Sequence, residues 1–535
     1  MKSAAKKLWK YIEGINGLLL ILYSVFIFST SVIISNNFSK FYFIFSELFI
    51  VVLSVIICPI IIKLSSKICI KQRKIKGENQ KAQFFLNLSF YIIPFAILLL
   101  YYIAYYPGGF SYDSIDQYTQ AIENHYNDWH PVIQTLFAFK LPLSLTGGWI
   151  GSIVLFQIIC FSVVLGYAFN TIYKYTNLKY LVLSMSFVLL NPQLGYISLF
   201  PWKDVSFAIG TVLSITYSLQ IFMTKGEWIK SPVNTILFIF TVSLTTLFRH
   251  NAILFTIPLI ISILFFLSKK RGFVICLSFV ILCLSVKLPL YTALGVEKPG
   301  GRQAEILGLP MTVIGGVVTY NPEALDVGVR GFAYEVAPKE VWEEKYTYGS
   351  FNQVKWDNRT DSGVIEVYGT KQVVWMMVKS FLSSKDEAVK SLIKLTEPSF
   401  SVTGDYDDFF YPRISANNFG ITNHFNDNAV AVCEAYRNFV KDFVSYPFLH
   451  LGFLHLLLIV AILSKCKLNK IRDWKKILFV IPIFTYNYGT MLLLSGKDLT
   501  GIPDSSRFLF YTFLILPIVL IVMFNKEKYI DEVKL

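Results

Sequence analysis

Twelve apolar stretches, most of them close to twenty residues long, dominate this 535-residue chain. A helix needs about 20 predominantly apolar residues to cross the hydrocarbon core of a bilayer. The stretches therefore predict an all-α polytopic membrane protein with about twelve transmembrane helices. They cover residues 17–34, 43–62, 84–105, 149–169, 180–199, 205–224, 233–248, 252–267, 273–291, 446–464, 477–495 and 508–524.

Composition agrees with a membrane protein and argues against a nucleic-acid-binding one. Hydrophobic residues make up 54% of the chain and charged residues only 16%, whereas soluble domains carry about 25% charged residues. The net charge of +14 comes from Lys and Arg in short loops between apolar stretches. Because that distribution follows the positive-inside rule, we expect a lipid bilayer as partner and no nucleic acid.

The loops also predict the orientation. With the N-terminus in the cytoplasm, the inside segments hold 27 Lys and Arg residues and the short outside loops hold 6. Positive charge is concentrated on the cytoplasmic side of membrane proteins. We therefore expect a multi-pass protein of the cytoplasmic membrane with both termini cytoplasmic and an extracytoplasmic active site.

Four regions follow from this topology. Two helices and a basic cytoplasmic loop occupy 1–83, and a transmembrane core occupies 84–291, with a large outer loop at 106–148. A mixed extracytoplasmic domain is expected at 292–445, between helices 9 and 10. Three C-terminal helices occupy 446–535. Within the outer domain, residues 372–395 are predicted to form a helix, either on the outer leaflet or packed against the domain surface.

The outer loop 106–148 carries the first candidate site residues. A Pro-Gly-Gly sequence at 107–109 ends the preceding helix. Asp113 and Asp116 follow three residues apart, so on a helix they share one face. His130 comes later, between a tryptophan and a proline.

Each of these residues has two interpretations. Asp113 or Asp116 could act as a general base or as a ligand of a divalent metal. Alternatively, Asp113 caps a short surface helix and Asp116 interacts favourably with its N-terminal dipole. His130 is either a catalytic residue or simply the residue at which a helix starts. The sequence leaves these alternatives open.

Three further polar clusters lie at predicted outer ends of helices. A charged turn between helices usually only marks the membrane interface, but these clusters share a side with the two aspartates. Arginine and lysine there are suited to bind anionic oxygens through charge-assisted hydrogen bonds. The clusters are Lys203-Asp204, Arg249-His250-Asn251 and Arg507.

The order of these motifs resembles that of uncharacterised bacterial membrane proteins grouped with the GT-C superfamily of polytopic glycosyltransferases. The resemblance extends from residue 84 onward, and each motif is short. Two helices precede the loop-bearing pair, which departs from the simpler GT-C arrangement. The matching elements are residues 107–117, 129–131, Lys203-Asp204, 249–251, and Arg507-Phe508 with Pro517.

The resemblance implies a GT-C-like bundle and a polyprenyl-phosphate-linked sugar as donor, with a cell-envelope glycan or lipid as acceptor. It also implies that Asp113 or Asp116 deprotonates the acceptor hydroxyl, with His130 nearby. A divalent metal between the aspartates is left open, and no other cofactor is indicated. The residues expected to bind the donor phosphate are Lys203, Asp204, Arg249, His250, Asn251 and Arg507.

Two other functions remain as alternatives. A polysaccharide polymerase or ligase would use the same compartment and similar outer Arg and His residues. A lipid or glycan flippase would more often show internal repeats and polar groups near the bilayer midplane. No fixed-period repeat is visible, and the centres of the spans are mostly apolar.

Overall fold

The computed structural model describes residues 15–34, 40–70, 80–298, 304, 306–400, 411–440, 450–466, 471–493 and 505–525. Over these ranges the chain forms helices and four isolated β-bridges, with no strand. The predicted all-α class is thereby confirmed. Both termini, residues 71–79 and the expected domain boundary at 445 lie outside the described residues.

Helices of ten residues or more are numbered here in chain order. They are α1 Ile15–Ile34, α2 Lys40–Lys67, α3 Gln80–Ala104, α4 Tyr112–Glu123, α5 Gly151–Tyr175, α6 Leu178–Leu189, α7 Lys203–Met223, α8 Pro232–Leu247, α9 Ile253–Leu264, α10 Lys269–Ser285, α11 Gly308–Tyr320, α12 Val327–Val336, α13 Gly363–Ser383, α14 Lys385–Phe400, α15 Asp427–Phe439, α16 Leu451–Lys465, α17 Ile471–Leu493 and α18 Tyr511–Phe524.

Seven helices in the described ranges are long and apolar enough to cross a membrane. The other five predicted spans correspond to shorter apolar stretches, so the number twelve stays a prediction. The predicted span 180–199 is not one helix. It breaks after Leu189, where Asn191 caps a second short helix, Pro192–Ile197, by accepting a hydrogen bond from the Gln193 amide. Proline favours the first turn of a helix, so it starts a new helix at this point.

The apolar helices pack around one large core. Helix α3 lies against α5, α7 against α18, and α9 against α17. Their facing side chains belong to a single buried cluster that includes Phe161, Phe207 and Tyr511. Because the core is built from helices far apart in sequence, it brings their connecting loops together at the ends of the bundle.

The region predicted to be extracytoplasmic has a second hydrophobic core among its described residues. Residues between Ala304 and Ala388 form a separate buried cluster around Trp342. The mixed structure expected for this region is not found, because its described residues form only helices and loops. Helix α13 buries Val373 and Met376 and packs against α11. The segment 372–395 is therefore two packed helices joined near Ser384, with one exposed apolar stripe that includes Trp375.

Residues 411–440 pack on the large core of apolar helices instead of on the second cluster. Two backbone hydrogen bonds join Phe110 to Arg413 and Ser415, and the amide of His424 donates to the carbonyl of Tyr106. Helix α15 packs against α3. This segment therefore supports the loop from which α4 emerges.

The two ends of the bundle differ in their polar groups. At the end predicted to be cytoplasmic, Lys465 donates hydrogen bonds to the carbonyls of Ser66 and Ile68, and Ile70 pairs with Asn525. The candidate site residues lie at the opposite end.

Candidate functional site

Helix α4 presents two aspartates from the loop between α3 and α5. The chain turns at Gly108, whose φ of 113° suits glycine, and Gly109 donates a backbone hydrogen bond to Leu199. Ser111 is extended, and α4 begins at Tyr112. One face of α4 is buried through Gln117, whose amide donates to Thr135. This packing fixes the helix and leaves Asp113 and Asp116 beside the buried face.

An alternating chain of charges connects four helix ends. Arg507 donates to Oδ2 of Asp113 and to Oδ2 of Asp204, both at 2.7 Å. Asp204 also pairs with the guanidinium of Arg249. These residues come from α4, α7, the turn before α9 and the short helix Ser505–Leu509. The structure therefore brings together residues that are up to 394 positions apart.

Arg249 is the buried end of this chain. Its Nε donates to Oδ1 of Asn251 at 2.7 Å, and Asn251 in turn donates to Thr490. Its guanidinium lies 4.5 Å from the ring centre of Phe508. Arg249 and Asp204 are both buried, so each of these charges lies in the interior beside an opposite charge.

His130 joins Lys203 to the two aspartates. The Lys203 ammonium lies 2.8 Å from Nδ1 of His130. Nε2 of the same ring lies 3.9 Å from Asp113 and 4.0 Å from Asp116. The His130 side chain is only 2% exposed, compared with 35% for Asp113 and 45% for Asp116. The carboxylates are thus the accessible part of the group.

The electrostatic environment shifts the pKa values of the two aspartates in opposite directions. Burial by itself would raise the pKa of Asp113, but the positive charges of Arg507 and Lys203 outweigh it and hold that pKa well below the usual value. Burial raises the pKa of Asp116, and the negative charge of Asp113 raises it further, against the hydrogen bond from Gln120. Asp116 is therefore the stronger base of the two.

His130 is neutral at physiological pH. Burial lowers its pKa well below the usual value, and the Lys203 charge lowers it further. The ring therefore carries one proton, and its position is set by the hydrogen bonds that the ring makes.

The described contacts of His250 are with Asp128. Its Nε2 is 3.1 Å from the backbone carbonyl of Asp128 and 3.8 Å from Oδ1 of the same residue. Asp128 also accepts a hydrogen bond from Tyr291 at 3.0 Å. His250 thus contacts the outer loop directly, whereas its neighbours Arg249 and Asn251 face the charge chain.

A divalent metal between the two aspartates stays a prediction. Arg507 donates to Oδ2 of Asp113 and Lys203 contacts His130, so two positive charges lie beside the aspartates. In the part of the chain that the structure describes, no group of three or more His, Cys, Asp or Glu side chains is arranged to hold a metal. We therefore derive no step through a metal.

Three polar contacts at the site involve residues that the motifs did not indicate. Trp202 lies under the Arg507 guanidinium, 4.3 Å from ring centre to carbon. Gln120 donates to Asp116 at 2.7 Å, and Thr490 supports Asn251. Trp202 immediately precedes Lys203 in the sequence. Gln120 follows Asp116 by four residues and is therefore expected on the same helix face, whereas Thr490 had no such signal.

The chain matches no protein-family model, no curated protein and no solved structure. Inference about its function therefore rests on the residues of the site.

Proposed function

We propose that this chain is a membrane glycosyltransferase of the GT-C type. It would move a sugar from a polyprenyl-phosphate-linked donor to a cell-envelope glycan or lipid on the outer face of the cytoplasmic membrane. Two accessible carboxylates, Asp113 and Asp116, lie beside the cations Arg507 and Lys203, and this arrangement supports the proposal. A base and an anion-binding group at one membrane surface are what such a transfer requires.

Asp116 is the proposed general base. Its raised pKa lies closer to physiological pH, which favours proton transfer, and it is the most exposed acid of the group. The acceptor oxygen attacks the anomeric carbon of the donor, and the bond from that carbon to the phosphate oxygen breaks. The bonding electrons leave with the lipid phosphate, and the acceptor proton passes to Asp116.

Asp113 has a different role. With its low pKa and its hydrogen bond to Arg507, it is a weak base but a good orienting group. Arg507 and Lys203 are partly exposed and are the proposed contacts of the lipid phosphate. Preorganised charges of this kind stabilise charge that develops in the transition state.

Three residues are proposed to hold the phosphate-binding groups in place without contacting the donor themselves. They are Arg249, Asp204 and Asn251. Arg249 is buried and paired with Asp204, so phosphate binding would require that pair to open. His250 borders the site through Asp128 and is assigned to the outer loop.

The proposal is tested with purified protein in proteoliposomes. The probes are synthetic polyprenyl phosphates carrying radiolabelled glucose, galactose, mannose or N-acetylglucosamine, with cell-envelope extract as acceptor. Enzyme-dependent release of polyprenyl phosphate together with a labelled acceptor supports the proposal. Intact donor with all four sugars contradicts it. Donor that crosses the bilayer unchanged would indicate a flippase, and turnover only with lipid-linked oligosaccharide would indicate a polymerase or ligase.

A further inference from the structure

Trp202 lies at the centre of the site but carries no charge. It is 3% exposed and immediately precedes α7, whose first two residues are Lys203 and Asp204. The ring of Phe200 stacks against it with a centroid distance of 4.1 Å and an interplanar angle of 16°. One face of the indole is therefore covered by an aromatic ring.

The other face carries Arg507. The guanidinium carbon lies 4.3 Å from the indole centre. Two groups this close to one ring centre would overlap on the same face, so Phe200 and Arg507 lie on opposite faces. A guanidinium over tryptophan is a favourable cation–π arrangement, and it is stronger where water is excluded.

The edge of the same indole is tied to α4. Its Nε1–H donates to the hydroxyl of Ser111 at 2.8 Å, and Ser111 immediately precedes the helix that carries Asp113. Trp202 thus contacts Arg507 through the face of its ring. Through the edge of its ring it contacts the start of α4, the helix that carries Asp113, and Asp113 is the carboxylate partner of Arg507.

We infer that Trp202 is a positioning residue that holds the Arg507 guanidinium where it can donate its hydrogen bond to Asp113. This inference rests on the proposed function and adds to it the group that orients the phosphate-binding arginine. Arginine has several rotatable bonds, and its two carboxylate partners lie on different helices. An aromatic surface beneath the guanidinium restricts the Arg507 side chain to one plane. In that plane its Nε and Nη2 groups reach Asp204 and Asp113 together.

The test is a double-mutant cycle on donor turnover. Trp202→Leu removes both the stacking surface and the N–H group, whereas Trp202→Phe keeps an aromatic face. Arg507→Gln removes the cation. We expect Trp202→Leu to lower kcat/KM about tenfold and Trp202→Phe to lower it less.

The double variant distinguishes a positioning role of Trp202 from a merely structural one. If Trp202 acts through Arg507, adding Trp202→Leu to Arg507→Gln changes kcat/KM by no more than about twofold. Multiplicative losses in the double variant would overturn the inference. Trp375→Leu is the matched control, since Trp375 is exposed on α13, and it should leave turnover unchanged.

A failure of the proposed function can be distinguished from a failure of the inference about Trp202. If the wild-type protein releases no polyprenyl phosphate, glycosyl transfer is refuted, and the same four proteins of the cycle are compared by thermal unfolding. A smaller loss of Tm in the double variant than the sum of the two single losses supports coupling of Trp202 to Arg507. Additive losses contradict it.

Discussion

The ammonium group of Lys203 lies 2.8 Å from Nδ1 of His130. Lysine has no acceptor, so Nδ1 must supply the lone pair of this contact. Neutral His130 therefore carries its proton on Nε2, the atom nearest to Asp113 and Asp116. The ring separates the Lys203 charge from the carboxylates and directs an N–H group towards both of them.

The pH dependence of transfer follows from the shifted pKa of Asp116. Its carboxylate must be unprotonated to act as a base, and its pKa is raised above 3.8. We expect kcat to fall as the pH falls through a midpoint above that value. Lys203→Gln should move the midpoint to higher pH, because the Lys203 charge lowers the pKa of Asp116. A rate–pH profile in proteoliposomes measures both midpoints, and an unchanged midpoint in the variant would show that the Lys203 charge does not act on Asp116.

Breaking the buried pair of Arg249 and Asp204 should destabilise the fold. Arg249→Gln leaves the buried Asp204 with Arg507 as its described cation, and Asp204→Asn removes the carboxylate from both arginines. Removing one partner of a buried ion pair typically costs about 3–5 kcal/mol. We expect Arg249→Gln and Asp204→Asn each to lower Tm strongly in detergent, and the double variant to lose less than the sum. Arg330→Ala is the control, because its partner Glu323 is 87% exposed and such pairs contribute about 1 kcal/mol or less. Equal Tm losses in all variants would contradict the role assigned to the buried pair.

Glu434 should hold the segment 411–440 on the bundle. One of its oxygens accepts hydrogen bonds from the hydroxyls of Tyr105 at 2.8 Å and Tyr196 at 2.7 Å. Glu434→Leu leaves these hydroxyls without their acceptor, at a typical cost of about 1–3 kcal/mol. We expect faster hydrogen exchange in residues 411–440 and in the loop at 105–111. Glu434→Gln keeps an acceptor and should have a smaller effect; equal exchange in wild type and both variants would exclude the role.

The orientation can be tested with two introduced cysteines at exposed serines. Ser383 ends α13 in the outer region, and Ser66 lies near the predicted cytoplasmic end of α2. In intact cells an impermeant thiol reagent should label Ser383→Cys and spare Ser66→Cys. The unmodified protein is the control for its seven cysteines. The reverse labelling pattern would invert the topology.

Local sequence patterns predicted the helices well where the apolar run was continuous. The span expected at 84–105 is α3 at Gln80–Ala104. The run 180–199 was misjudged because hydropathy is insensitive to the break that Asn191 and Pro192 introduce. The predicted count of twelve spans depends on five shorter helices whose relation to the bilayer cannot be read from length alone.

The sequence allowed the types of residue at the candidate site to be predicted, but not which of them contact each other. Positive and negative residues at outer helix ends indicated a shared surface, yet the pairing of Arg507 with Asp113 depends on packing between distant helices. His250 was grouped with Arg249 because they are neighbours, although their side chains contact different elements. Trp202 has no charge, and only the three-dimensional structure reveals its position under Arg507.

If Asp116 is the general base, replacing it with asparagine should abolish most of the donor turnover. Donor turnover is measured for Asp116→Asn, Asp113→Asn and, as control, Asp427→Asn, an exposed acid in the first turn of α15. We predict that Asp116→Asn lowers kcat about a hundred- to ten-thousand-fold. Asp113→Asn should have a smaller effect that includes weaker donor binding, and the control should be unaffected. Undiminished kcat in Asp116→Asn, with normal folding and membrane insertion, would contradict the account.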